Sequence, residues 1–209
     1  MGAKKIQPSA YETALALVEP FRSADPARTH IHTPFSTDLW GRPYVCATDG
    51  HTAAMVACAE RVPRSADIAP PPPLSAVIPD GAERVGHFLA SELEGLRQFP
   101  KSWTSIIGFD TDKLPRLYLS RTKGSGRTGR RIEIVNDAPL VFRYALEVST
   151  AFRVEYLLRT IDFCGVERVT VWRVRGGKYQ EQEPVIFTCG AGSYAGEAER
   201  VAVVMPCRK

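Results

Sequence analysis

Thr48-Asp49-Gly50-His51 sets an acid and an imidazole two residues apart, between the apolar runs Val45–Ala47 and Ala53–Val56. A carboxylate beside a histidine is the raw material of proton transfer. Nucleophilic or general-base chemistry also needs a third, orienting group and side chains that converge. No serine, lysine or second acid stands near enough in sequence to complete such a set. Asp-Gly between two apolar runs is above all a tight-turn signal. The favoured reading is a turn that presents His51 on a surface. An enzyme using Asp49 and His51 is the rival from another class, and the sequence names no substrate for it.

Other constellations carry less chemistry. His30-Ile31-His32 would put two imidazoles on one side of a strand, but two ligands do not make a metal site and no third has convincing spacing. They read as solvated strand histidines, and no metal or cofactor is expected. Gly124-Ser125-Gly126-Arg127-Thr128-Gly129 matches the dinucleotide fingerprint by letter, yet it runs into the strand-like Arg130–Val135 instead of opening a helix. What remains is a loop carrying Arg121, Lys123, Arg127, Arg130 and Arg131 with no acid among them. It suits phosphate-backbone contact, or it is a solvated basic hairpin. The five cysteines are scattered, form no CxxC pair, and read as reduced, mostly buried residues.

Three helices are expected to position these groups. Ser9-Ala10-Tyr11-Glu12 is a capping box, followed by a stripe of Tyr11, Ala14, Leu15, Val18 and Phe21. A second helix is expected after Pro79-Asp80-Gly81, with Val85, Phe88, Leu89, Leu93 and Leu96 in its stripe. A third follows Ser149-Thr150, carries Ala151, Val154, Leu157, Leu158 and Ile161, and ends near Gly165. Strands are expected at 29–37, 43–48, 52–59, 74–79, 103–110, 115–121, 130–136, 140–148, 167–174, 184–189 and 200–206. The chain therefore reads as a strand–helix–three-strand unit repeated three times at about 65–70 residues. Ala69-Pro70-Pro71-Pro72-Pro73 reads as a stiff crossover between the first two units.

The 209 residues, 44% hydrophobic and 24% charged, suit a soluble globular protein with a proper core. No apolar stretch approaches the roughly 20 residues of a membrane helix. The N-terminus lacks a signal-peptide core, and Ile6 argues against myristoylation of Gly2, so a cytoplasmic place is expected. A net charge of +4 permits a polyanionic partner without demonstrating one.

The segment V-C-A-T-D-G-H, in a chain ending V-A-V-V-M-P-C-R-K, resembles the bacterial β sliding clamp family, the processivity ring of the replicative polymerase. Ser75–Pro79, Tyr144–Gly165 and Val166–Val171 extend the similarity. The resemblance implies an α+β, DNA-clamp-like fold, with antiparallel sheets outside and helices inside. It implies a non-enzymatic protein that encircles double-stranded DNA as a homo-oligomer. It also implies that polymerase and clamp-loader-type proteins are held through a short glutamine-and-hydrophobic peptide motif. By family position, Thr48, Gly50, His51, Thr52, Ala53, Val204, Met205, Pro206, Cys207 and Arg208 line that peptide pocket.

The departures shape further expectations. Thr52-Ala53 is smaller than the family's pair, Cys207 replaces a methionine, and Lys209 replaces an apolar end. A buried methylene contributes about 0.8 kcal/mol, so peptide binding should be weaker or altered. Family members hold six units in three domains. Here residues 1–137 are expected to form a two-unit domain, and 138–209 a half-domain with an open sheet edge, normally a liability. A twelve-unit ring would then take four chains. The DNA-facing cations would be Arg84 and Arg97 on helix two and Arg153 and Arg159 on helix three, with the 121–131 loop. Helix one, carrying Glu12 and Glu19, does not suit DNA. The runner-up reading is an adaptor or decoy that binds replication proteins without closing a ring.

Overall fold

The computed structural model describes residues 9–63, 83–91, 97, 103–109, 115–121, 131–134, 150–166, 168–173, 184–189 and 198–205. Helix α1 spans Ala10–Val18 and opens on the expected capping box. The Glu12 amide donates to Ser9 Oγ at 3.1 Å, and the Ser9 amide donates to Glu12 Oε2 at 2.7 Å. A 3-10 turn at Glu19–Phe21 follows, then a one-turn helix α2 at Thr29–His32. Strands β1 (Phe35–Leu39), β2 (Arg42–Thr48) and β3 (Thr52–Ala57) complete the first unit. Next come β4 (Glu83–Leu89), β5 (Trp103–Phe109), β6 (Pro115–Arg121) and β7 (Arg131–Ile134). The last unit is β8 (Thr150–Arg153), α3 (Val154–Cys164), β9 (Arg168–Arg173), β10 (Val185–Cys189) and β11 (Arg200–Val204).

All pairings are antiparallel. One sheet runs β1-β2-β3-β11-β10-β9-β4 and the other β7-β6-β5-β8. Hydrogen bonding thus crosses the expected boundary at 137, through β3–β11, β4–β9 and β5–β8. Strands β9–β11 lie between β3 and β4, paired on both sides within the chain, while β8 is the end strand of the four-stranded sheet.

Strands β2, β3, β10 and β11 of the long sheet bury residues on both faces, in alternation. Val45, Ala47, Ala54, Phe187, Ala202 and Val204 point to the core that α1 and α3 cover. Tyr44, Cys46, Met55, Ile186, Val201 and Val203 form a second core on the opposite face. Burial forces the polar atoms there to pair: Tyr44 Oη donates to the Ala198 carbonyl at 3.1 Å, and Trp172 Nε1 to Thr188 Oγ1 at 2.7 Å. Burial also pushes the Cys46 thiol up, so it stays protonated and unreactive.

Helix α3 buries Val154, Leu157, Leu158 and Ile161 as expected, while Ala151 belongs to the preceding strand β8. Gly165 ends it in the left-handed region at φ 59°, its amide donating to the Ile161 carbonyl at 3.1 Å. Arg200 from β11 donates to the Phe163 and Cys164 carbonyls at 3.1 and 3.0 Å, occupying acceptors that the helix end leaves open.

Four expectations change. Residues 83–89, expected to begin the second helix, are strand β4, paired to β9 with a register shift between Arg84 and Gly86. Glycine weakens a helix interior but suits such a shift, and β9 offers a ladder to bond. Residues 92–96 of that helix, and the strands expected at 74–79 and 140–148, lie outside the described residues. The strand expected from residue 29 starts at Phe35, because the Ile31 and His32 amides close a helical turn onto the Arg28 carbonyl. His32 Nδ1 sits 2.9 Å from the Ser23 carbonyl, a structural role rather than a solvated one. Finally, Cys164 and Cys189 form a disulfide, with Cα atoms 5.4 Å apart. No helix among the described residues is long and apolar enough to cross a membrane.

Candidate functional site

The β2–β3 turn is held by its own side chains. Thr48 Oγ1 donates to the Thr52 carbonyl at 2.7 Å and accepts from the Gly50 amide at 3.0 Å. Asp49 Oδ1 accepts from the His51 amide at 2.8 Å, the Thr52 amide at 2.7 Å and Thr52 Oγ1 at 3.1 Å. Gly50 supplies the positive φ of 88° that the reversal needs, and a Cβ there would lie 3.2 Å from the Arg28 guanidinium. Arg28 donates to the Asp49 carbonyl at 3.0 Å.

Two partners reach the turn from the last unit. The Met205 amide donates to the His51 carbonyl at 2.8 Å, extending the ladder in which Thr52 faces Val204. Arg159 on α3 donates to Asp49 Oδ2 at 2.8 Å and to Thr52 Oγ1 at 3.1 Å. Its guanidinium carbon lies 5.5 Å from the Phe21 ring centroid and 5.7 Å from that of Tyr156, within cation–π range of both. The His51 ring stacks on Tyr156 with centroids 6.0 Å apart and planes 14° apart. Arg153 lies over Tyr156 at 5.6 Å.

This arrangement decides the chemistry of Asp49. Its carboxylate accepts four hydrogen bonds, one from an arginine, so both oxygens are committed to structure. A general base needs a free lone pair aimed at a substrate proton, and Asp49 Oδ1, with three donors on it, has none to offer. The acid builds the turn and the imidazole is displayed on it. Among the described residues no group of three or more potential metal ligands occurs.

The structure brings the two expected pocket segments together but divides their side chains. Gly50 and His51 are exposed, and Thr48 and Met205 half-buried. Thr52, Ala53 and Val204 are 2%, 6% and 0% exposed, so their side chains belong to the interior instead of lining an open cleft. Strand alternation is the reason: Ala53 faces the core of Met55 and Val203, and Val204 the core beneath the helices. Pro206, Cys207 and Arg208 lie outside the described residues. Arg28, Phe21 and Tyr156 were missed as site residues. The i, i+3 spacing of Tyr156 and Arg159 was a legible signal for neighbours on one helix face.

Arg84 is exposed, on strand β4 rather than on a helix. Arg97 pairs with Asp162 and Arg153 with Glu155, and Arg159 is spent on the turn. Arg121 and Arg131 occupy β6 and β7, whereas Lys123, Arg127 and Arg130 lie outside the described residues.

No protein-family model and no curated protein matches the chain. Solved structures do. The DNA polymerase III subunit beta of Borrelia burgdorferi aligns with a TM-score of 0.65 at 12% identity, covering 93% of this chain and 61% of that one. The beta chain from Streptococcus pneumoniae gives 0.60 at 10%, covering 100% and 67%. The beta subunit from Thermotoga maritima gives 0.59 at 13%, covering 99% and 68%. The chain thus spans three fifths to two thirds of these proteins' length.

Proposed function

We infer, from a chain that carries the bacterial β sliding-clamp fold, that it is a clamp-like processivity factor in the compartment that holds the DNA. It encircles duplex DNA as a homo-oligomeric ring, four copies being the number that unit counting gives, with residues 1–137 and 138–209 as its two parts. Through the surface around His51 it tethers DNA polymerase or clamp-loader-type proteins by a short glutamine-and-hydrophobic peptide. The observation that carries this reading is the contact between the Thr48–Thr52 turn and the C-terminal strand, made by the Met205 amide and the His51 carbonyl at 2.8 Å. A short peptide needs an apolar floor with a few fixed polar groups, and His51, Tyr156 and Met205 supply both.

His51→Ala is expected to weaken binding of such a peptide about tenfold, the scale of an interface anchor, with an unchanged thermal midpoint because the ring is exposed. A fluorescence titration of wild type and variant reads this. Unchanged affinity would remove His51 from the site.

The adaptor reading, a protein that binds replication proteins without closing a ring, is favoured by the engagement of Arg97, Arg153 and Arg159 with acids. Paired cations offer a phosphate backbone less attraction. Light scattering across a concentration series separates the two. A fixed oligomer supports the ring, and a persistent monomer supports the adaptor.

A further inference from the structure

The Asp49–Thr52 turn joins β2 to β3 through three residues, with a glycine at positive φ, and such loops sample several conformations unless tied down. Three of its internal bonds converge on one oxygen, Asp49 Oδ1. The other oxygen is held from outside the unit, by Arg159. That arginine sits on the helix whose Leu157, Leu158 and Ile161 are buried in the core, so its backbone has little freedom. Phe21 and Tyr156 hold the guanidinium plane, and one terminal nitrogen reaches both Asp49 and Thr52. Arg159 is 27% exposed and Asp49 19%, so water competes for this pair far less than for the open Arg61–Asp38 pair at 58% each. The same Tyr156 that flanks Arg159 carries the stacked His51 ring.

We infer that Arg159 is a positioning residue. From α3 it fixes the Asp49–Thr52 turn in the conformation that sets His51 against Tyr156 and its carbonyl against Met205, and so tunes peptide docking without touching the peptide. The docking half of this inference rests on the peptide-tethering reading above; the turn-fixing half does not. It also reassigns Arg159 from DNA contact to the site, which is therefore assembled jointly by the first and last units.

The test uses the full chain and three variants. Arg159→Met keeps an unbranched stem between the two rings and deletes the charge. Arg159→Lys keeps the charge without the planar fork. Asp49→Asn weakens the same contact from the other side. Two readouts are taken: the amide NMR signals of His51 and Thr52, whose donors both point at Asp49 Oδ1, and titration with a synthetic peptide carrying one glutamine and two leucines. Arg159→Met and Asp49→Asn are expected to shift both amide signals and to weaken the peptide about tenfold. Arg159→Lys is expected to recover most of that loss, a rescue that a purely packing role would not give.

Amide signals unmoved in Arg159→Met would overturn the inference whether or not any peptide binds. Shifted signals with unchanged affinity would overturn its docking half and leave the tethering reading standing. A wild-type chain that binds no such peptide would overturn the tethering reading and the docking half with it, while the amide signals still decide the turn. Should Arg159→Met fail to fold, Asp49→Asn and Arg159→Lys carry the same comparison.

Discussion

Phe21→Ala is expected to remove roughly 3–5 kcal/mol of folding stability, the range for emptying a buried phenylalanine site. Phe21 is fully buried at the end of the 3-10 turn, edge-on to Phe163 at 5.3 Å between centroids. It joins the N-terminal helix to α3 within one core cluster. Its ring is also one wall of the Arg159 slot, at 5.5 Å, so the variant should shift the His51 and Thr52 amide signals too. Phe21→Leu refills most of the volume and should cost under about 1.5 kcal/mol. Urea unfolding checks this, through a lower midpoint at unchanged slope. A loss below about 1 kcal/mol would mean that the neighbouring side chains collapse into the space and that the turn is not a keystone of the core.

The second large effect is expected from the Cys164–Cys189 bond. The sulfurs join the last residue of α3 to the end of β10 across 25 positions. Closing a loop of that size in the unfolded chain is worth roughly 3 kcal/mol in the chain-entropy account. Thiol reductant should therefore lower the urea midpoint by a corresponding amount, and Cys164→Ala with Cys189→Ala should abolish the reductant's effect. In a cytoplasm kept reducing, the two would stand as neighbouring thiols, and the α3 end would then rest on Arg200 and on packing. If both cysteines of the unfolded protein alkylate without reductant, the bond is absent and the midpoint should not respond.

The alternation of Tyr44–Ala47, Ala53–Val56, Ile186–Cys189 and Val201–Val204 between two cores shows why strands were legible: near-continuous apolar runs mark strands buried on both faces. The Ser9–Glu12 box and Gly165 were equally plain, because caps are local chemistry. What failed was settled by distant partners. Residues 83–89 have a pattern short enough to suit helix or strand, and β9 decides. The disulfide joins residues whose separation signals nothing. The segments flanking the site were found from the resemblance, but which of their side chains face outward depends on sheet register. Ala53 and Val204 are buried on opposite faces of the sheet. Arg159 was legible as a helix cation, and only the fold brings it to Asp49, 110 positions earlier.

The place of β11 at the middle of the seven-stranded sheet bears on how the protein is made. β3 finds its second neighbour only in β11, and the Tyr44–Ala198 hydrogen bond spans 154 positions. A nascent chain emerging from the ribosome can close the β1–β2–β3 meander early, but it must then carry a bare β3 edge until Arg200–Val204 appear. Pairings this remote in sequence close slowly, and an unpaired edge meanwhile invites aggregation. The bond from Met205 to His51 forms beside β11, so the β2–β3 turn is tied to the last unit only once β11 has been made.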